Sequence, residues 1–220
     1  MLHPPYTAWH LSYVALGAAV APTVHADRVE AALLAFFLAV GIGAHALDEL
    51  HDRPLGTAFS ARSLAIAGAL SIAGAAAIGI VGIVTVSITL VPLVVFGAVI
   101  CVLYNLELLA GRFHSDAWFA ASWGVFPAFT GYWANALRFS VAGCLVAISC
   151  GALSIAQRRL STPARQLRRR TLAVSGEQRL ADGRSLELSP PVLLAPLDGA
   201  LRALSVAIPL LAVGALLARA

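Results

Sequence analysis

Long apolar runs, separated by short polar interruptions, make up most of the chain. The predicted membrane-spanning helices lie at about residues 7–21, 29–47, two within 62–107, 117–132, 139–156 and 201–217. The stretch between Arg62 and Glu107 carries no charged side chain and is too long for one helix across a hydrocarbon core of about 30 Å. It must therefore fold back, and we place the turn between Thr85 and Pro92, where Thr, Ser and Pro interrupt the apolar run.

Composition supports lipid as the solvent of these helices. Hydrophobic residues make up 60% of the 220 positions and charged residues 12%, whereas soluble domains are about 45–50% apolar and about 25% charged. The predicted fold class is therefore all-α, a polytopic transmembrane bundle of about seven helices. We divide it into a bundle of six spans at residues 1–156, a basic loop at 157–197, and a C-terminal transmembrane helix at 198–220.

The arginines predict the orientation of the bundle. All 15 basic residues are arginine, and eight of them lie between Arg158 and Arg184. Because basic loops stay on the cytoplasmic side, we expect loop 157–197 and the N-terminus to be cytoplasmic and the protein to be integral to the cytoplasmic (inner) membrane. The alternating pattern around Asp182-Gly183 predicts a short hairpin in the loop. No nucleic-acid-binding motif accompanies the basic residues, so nucleic acid is not an expected partner.

Ionisable residues gather at heptad spacing at three predicted helix ends, and the first such pair, His3 and His10, brackets the start of the first span. His45, Asp48, Glu49 and Asp52 are spaced i, i+3, i+4 and i+7 at the end of the second span, and Glu107 and His114 are seven apart at the end of the fourth. His10 lies in the first span. Because ionisable groups at membrane depth are costly, they suggest function, and the topology places these ends on one side of the membrane. We predict that the two later sets converge on one polar cavity. Three other histidines, His3, His25 and His51, are interpreted as interfacial residues.

Carboxylates one helical turn apart can hold a hard divalent cation that binds phosphate oxygens, as Mg²⁺ does. Histidines mixed with carboxylates suit iron, manganese or zinc instead. The predicted cofactor is thus a divalent metal, with Mg²⁺ first and Fe, Mn or Zn as the alternative. Its candidate ligands are His10, His45, Asp48, Asp52, Glu107 and His114, and the candidate catalytic residues are Asp48 and Asp52.

The segment that contains Asp48 and Asp52, followed by Arg53-Pro54-Leu55, resembles the aspartate motif of the UbiA superfamily of intramembrane prenyltransferases. Tyr104-Asn105-Leu106, and Gly124-Val125-Phe126-Pro127 with Gly131, resemble its fourth and fifth helices. The resemblance covers about residues 8–135. It implies a UbiA-like fold in the first five helices and prenyl transfer from a diphosphate with a metal on the two aspartates. Substrate binding is assigned to Arg53, Tyr104, Asn105 and Arg112.

The chain also departs from that superfamily in two ways. Ala44 and His45 stand where the family has Asn-Asp, and the loop at 157–197 contains no second Asp-x-x-x-Asp motif. Three hypotheses therefore follow. The first is a metal-dependent membrane enzyme acting on an isoprenoid or other lipid. The second is a transition-metal redox or hydrolytic enzyme with the same fold, whose site draws on His10, His45, Asp48 or Glu49, Glu107 and His114. The third is a non-catalytic membrane subunit. Expected partners are a lipid substrate, the membrane, and a second copy or another subunit in an oligomer.

Overall fold

A computed structural model describes residues 4–219, so His3 lies outside the described residues. Within them the chain forms seven helices and one pair of very short strands, which confirms the predicted all-α bundle. The helices are α1 (Pro4–Ala19), α2 (Ala26–His51), α3 (Ala61–Thr85), α4 (Ile88–Asn105), α5 (residues 116–136), α6 (Val141–Arg169) and α7 (Pro190–Leu217). The turn between α3 and α4 lies where the polar interruption predicts it.

Five of these helices, α2, α3, α4, α6 and α7, are long and apolar enough to cross a membrane. Their outward faces carry large apolar side chains, such as Val84 on α3, which is 79% exposed. Exposed apolar surface of this extent on several helices fits lipid rather than water as the surrounding medium. The molecule is therefore a polytopic membrane helical bundle. The predicted cytoplasmic orientation of its loops stays a prediction.

Helix α1 packs in the centre of the bundle, against α5 and α7. Two glycines allow α1 and α5 to approach closely: a Cβ on Gly17 would collide with the carbonyl oxygen of Ala128, and one on Gly131 with that of Val14. Small residues at such crossings are the usual way in which membrane helices gain contact, because lipid provides no hydrophobic driving force between them. The crossing fixes the height of α1 relative to α5.

Two helices contain a wider π-helical segment, at Phe37–Ala44 in α2 and at Ala121–Val125 in α5. In α5 the sequence suggests a reason. The residue four positions after Trp123 is Pro127, which has no N–H to donate to the Trp123 carbonyl. The segment in α2 contains Gly41 and Gly43. π segments turn backbone carbonyls away from the helix axis and often mark functional sites.

Helix α6 extends beyond its apolar part and ends at Arg169, and α7 begins at Pro190. The irregular connection is therefore shorter than the predicted loop 157–197. The reason is that the apolar residues predict only where the membrane-spanning part ends. The helix itself continues beyond that point through an arginine-rich segment. The connection contains a short antiparallel hairpin, Glu177–Arg179 with Ser185–Glu187. At its turn, the backbone N–H and the guanidinium of Arg184 donate to Asp182 and lower the pKa of that carboxyl.

Candidate functional site

An apolar cavity of about 330 Å³ lies between α2, α3, α4 and α5. It begins beside Asp27 and Arg28 and ends beside Val40, Cys101 and Trp123. Along α2 this distance is about 20 Å, from the rise of an α-helix per residue. Small and branched apolar side chains form most of the wall, including Ala35, Ile72, Gly79, Leu93, Gly97 and Phe126. Its volume lies in the lower part of the range of about 300–1,000 Å³ for small-molecule sites.

Each of the three residues at the inner end of the cavity also bonds a polar side chain. The carbonyl of Val40 accepts a hydrogen bond from Nδ1 of His45 at 2.8 Å, and the carbonyl of Trp123 accepts one from Nδ1 of His10 at 2.6 Å. Both carbonyls belong to π segments. The third bond, at 2.6 Å, runs from the amide of Asn105 to the carbonyl of Cys101. We call His10, His45 and Asn105 the polar layer. It directly follows the apolar cavity, although none of its members lines that cavity.

Beyond the polar layer, the ends of α2 and α4 bring acidic residues together. One ligand atom each from His51, Asp52 and Glu107 lies within 4.8 Å of the other two. Asp48 is half-buried one turn before Asp52, and its charge interacts with those of Glu107 and Asp52. We call Asp48, His51, Asp52 and Glu107 the carboxylate cluster. Two ligands of one ion, each about 2.0–2.6 Å from it, can be no more than about 5 Å apart, so the spacing of the three ligand atoms fits a shared divalent ion.

Glu107 lies in an irregular turn that follows the end of α4. Helix α4 ends at Asn105, and Glu107 has a positive φ of 47°, which ordinary side chains seldom adopt. Its carboxylate lies 3.5 Å from Nδ1 of His114, whose ring stacks on Tyr104 with a centroid distance of 4.5 Å. This turn brings the carboxylate of Glu107 back toward the end of α2. The two predicted sets therefore meet, chiefly through Glu107.

Positive charge approaches the same region from α6. The Arg158 guanidinium donates to the hydroxyl of Tyr104 at 2.7 Å, pairs with Asp116 at 2.5 Å, and lies 5.1 Å from the ring centre of Phe119. One heptad further along α6, the charge of exposed Arg165 interacts with that of Asp48. The sequence analysis assigns neither arginine to the site. Their seven-residue spacing, which places both on one face of the helix, could have indicated them.

The remaining predicted site residues lie in different places. His45 packs its ring against Tyr6, with a centroid distance of 5.6 Å, and does not belong to the group of ligand atoms around Glu107. Arg53 donates from its guanidinium to the carbonyls of Thr57 and Phe59, within its own loop. Arg112 is exposed.

Two residues have roles that the sequence did not indicate. Glu49, an alternative ligand in the transition-metal hypothesis, is fully buried. It accepts hydrogen bonds from the backbone N–H groups of Leu55 and Thr57 and from the Thr57 hydroxyl, so it fixes the loop after α2 and does not face the cluster. Tyr6 was not selected at all, yet its ring lies between His10 and His45, at centroid distances of 4.2 and 5.6 Å.

Comparison of the chain with protein-family models, with curated proteins and with solved structures finds no match.

Proposed function

We propose that this protein is an integral membrane, metal-dependent enzyme that acts on an isoprenoid or other lipid carrying a phosphate or diphosphate group. The observation that carries the proposal is the order along α2 and α4, where the apolar cavity is followed by the polar layer and then by the carboxylate cluster. A lipid chain in the cavity would have its head group at the end where the ionisable residues gather. Such residues at membrane depth are retained for function more often than for stability.

The charges near the cluster support an anionic head group bound together with a cation. Asp48, Asp52 and Glu107 provide negative charge from α2 and α4, while Arg158 and Arg165 provide positive charge from α6. The cluster residues would hold a divalent ion, which would neutralise phosphate oxygens. The arginines and the Tyr104 hydroxyl would bind the oxygens that face away from the ion. Electrostatic stabilisation of a departing anion commonly contributes more to such catalysis than any other single effect.

Prenyl transfer from a diphosphate is the form of this activity that the resemblance to the UbiA superfamily implies. The second candidate is a transition-metal enzyme. One observation favours it: an imidazole, that of His51, lies among the cluster's ligand atoms, and imidazole mixed with carboxylate suits Mn²⁺, Fe²⁺ or Zn²⁺ better than Mg²⁺. The sequence predicts an interfacial His51, and we propose that this side chain also binds the ion.

The test measures binding of tritiated farnesyl diphosphate to the purified protein, with Mg²⁺, with Mn²⁺ and with a chelator. We expect binding to require the metal and to weaken about tenfold or more in Gly97→Leu, whose added side chain would enter the cavity beside Phe126. The matched control is Gly214→Leu on α7, where an added side chain meets open space. Metal-independent binding that is equal in the two variants would contradict the proposal. Elemental analysis of the same preparation distinguishes Mg²⁺ from a transition metal, and a metal-free protein that binds no lipid would favour the non-catalytic subunit.

A further inference from the structure

His10 is one of the few polar side chains that are almost completely buried, at 2% exposure. Its Nδ1 lies 2.6 Å from the carbonyl oxygen of Trp123. Because a carbonyl oxygen can only accept, Nδ1 must carry the proton, and Nε2 is left as an acceptor in the neutral ring. Nε2 is buried and has no hydrogen-bond partner.

An unused acceptor in the interior is unfavourable, because its desolvation is not compensated by a hydrogen bond. The surrounding backbone nevertheless fixes this tautomer. Pro127 leaves the carbonyl of Trp123 without its usual helical donor, and the π segment of α5 lies at that carbonyl. A residue needed only for packing could be apolar at this position. Here the imidazole instead has one nitrogen, Nδ1, in a hydrogen bond and the other, Nε2, without one.

The surroundings of Nε2 restrict what it can bind. Four aromatic rings surround the imidazole, those of Tyr6, Tyr13, Phe119 and Trp123, at centroid distances of 4.2 to 6.4 Å. An anion would be repelled by the lone pair of Nε2, which can only accept a hydrogen bond in this tautomer. A metal ion would need further ligands, and the group of three ligand atoms found among the described residues does not contain His10. A neutral donor, such as a hydroxyl group, fits these surroundings best.

The position of His10 connects this acceptor with the apolar cavity. Trp123 lines the inner end of the cavity, and its carbonyl accepts the hydrogen bond from His10. Of the four rings around His10, that of Tyr6 is the closest and the only one that is not buried. A ligand that extends past the end of the cavity, beside the Tyr6 ring, would reach Nε2.

We propose that His10 Nε2 binds the hydroxyl group of a lipid alcohol whose chain occupies the apolar cavity. The site would thus recognise the alcohol as well as its phosphorylated form. The inference rests on the proposed function, because both need a lipid chain in the same cavity. The two proposals differ in the residues that bind the polar group. His10 would bind the hydroxyl, whereas the carboxylate cluster and the arginines of α6 would bind the phosphate.

The experiment measures scintillation-proximity binding of tritiated 1-dodecanol to the purified protein. Unlabelled 1-dodecanol, its methyl ether and n-dodecane serve as competitors. The ether keeps the oxygen but cannot donate. We expect the alcohol to compete about fivefold better than the ether, the size of one net hydrogen bond.

Two variants separate binding from packing. In His10→Asn the side-chain amide takes the place of Nδ1 and can still donate to the Trp123 carbonyl, while the acceptor at the Nε2 position is lost. In His10→Gln an amide oxygen can replace that acceptor. We expect His10→Asn to abolish the preference for the alcohol over the ether and His10→Gln to retain part of it. Thermal unfolding of both variants shows whether they remain folded.

The outcomes also distinguish this inference from the proposed function. Equal competition by alcohol and ether in the wild type, together with chain binding that Gly97→Leu weakens, would refute the role of His10 and leave the proposed function standing. Absence of binding by all of the dodecyl compounds would refute the inference, and it would refute the proposed function as well only if farnesyl diphosphate also failed to bind. A preference for the alcohol that persists in a folded His10→Asn protein would assign the hydroxyl to another residue and overturn the inference. So would zinc binding that depends on His10.

Discussion

Glu107 is the described residue that connects the two halves of the candidate site, and the change Glu107→Gln tests that connection. It keeps the shape of the side chain and removes its charge. At an effective dielectric constant of about 20, two unit charges about 4 Å apart interact by about 4 kcal/mol. The Glu107 side chain is 38% exposed, so we take half of that value. The remaining energy, about 2 kcal/mol, is a lower bound for a ligated divalent ion, which carries two charges and lies closer than 4 Å. It equals a loss of affinity of at least about 30-fold.

The folded protein should be affected much less. The pair between Glu107 and His114 is partly exposed and 3.5 Å long, and such pairs contribute about 0–1 kcal/mol to the free energy of unfolding. We therefore expect calorimetric Mn²⁺ affinity to fall by at least about 30-fold while the melting temperature changes little. Asp182→Asn, on the hairpin, is the control for the loss of one carboxylate. It should leave the Mn²⁺ affinity and the melting temperature unchanged. Unaltered Mn²⁺ affinity in Glu107→Gln would refute the assignment of the ion to this cluster.

The same structure supports four further predictions. Asp48→Asn should reduce metal binding and turnover with little loss of thermal stability, and a variant that unfolds but binds metal normally while folded would make this carboxylate structural. Glu49→Gln should instead lower the free energy of unfolding by about 1–3 kcal/mol in chemical denaturation, because a buried acceptor set is disturbed. Gly131→Ala should destabilise the crossing of α1 and α5 and lower the melting temperature, and wild-type stability would contradict that close approach. A Ser175→Cys protein in intact cells should resist an impermeant thiol reagent, because its loop is predicted to be cytoplasmic, and rapid labelling above the wild-type background would reverse the orientation.

The number of helices was predictable because lipid imposes a simple rule on the sequence. Polar interruptions cannot stay inside the hydrocarbon core, so they mark where the chain turns, as between Thr85 and Pro92. The meeting of the α2 and α4 ends was predictable for a related reason. Helices of an up-and-down bundle alternate in direction, so every second connection lies on the same side. The contact of Glu107 with the end of α2 depends in addition on the irregular turn after Asn105, which helical spacing does not predict.

The details that decide each side chain's partner were not predictable from helical spacing. Glu49 is an acidic residue directly beside Asp48, yet the loop after α2 folds back and buries it with the N–H groups of Leu55 and Thr57. The bond between His10 and Trp123 joins positions 113 residues apart. Pro127 signals a carbonyl without its helical donor, but the partner of that carbonyl depends on how α1 packs against α5.

The pattern of ion pairs bears on whether the polar residues are merely a network at helix ends. A network of that kind should pair each acid with a base, and three acids at this end of the bundle do so: Asp116 with Arg158, Asp198 with Arg168, and Glu107 with His114. Within residues 4–219, the ion pairs include neither Asp48 nor Asp52, which lie one turn apart with Glu107 nearby. Carboxylates so close together repel one another unless a cation or a proton lies between them. Helix-end pairing therefore accounts for Asp116 and Asp198, whereas Asp48 and Asp52 make no direct ion pair with a base within the described residues.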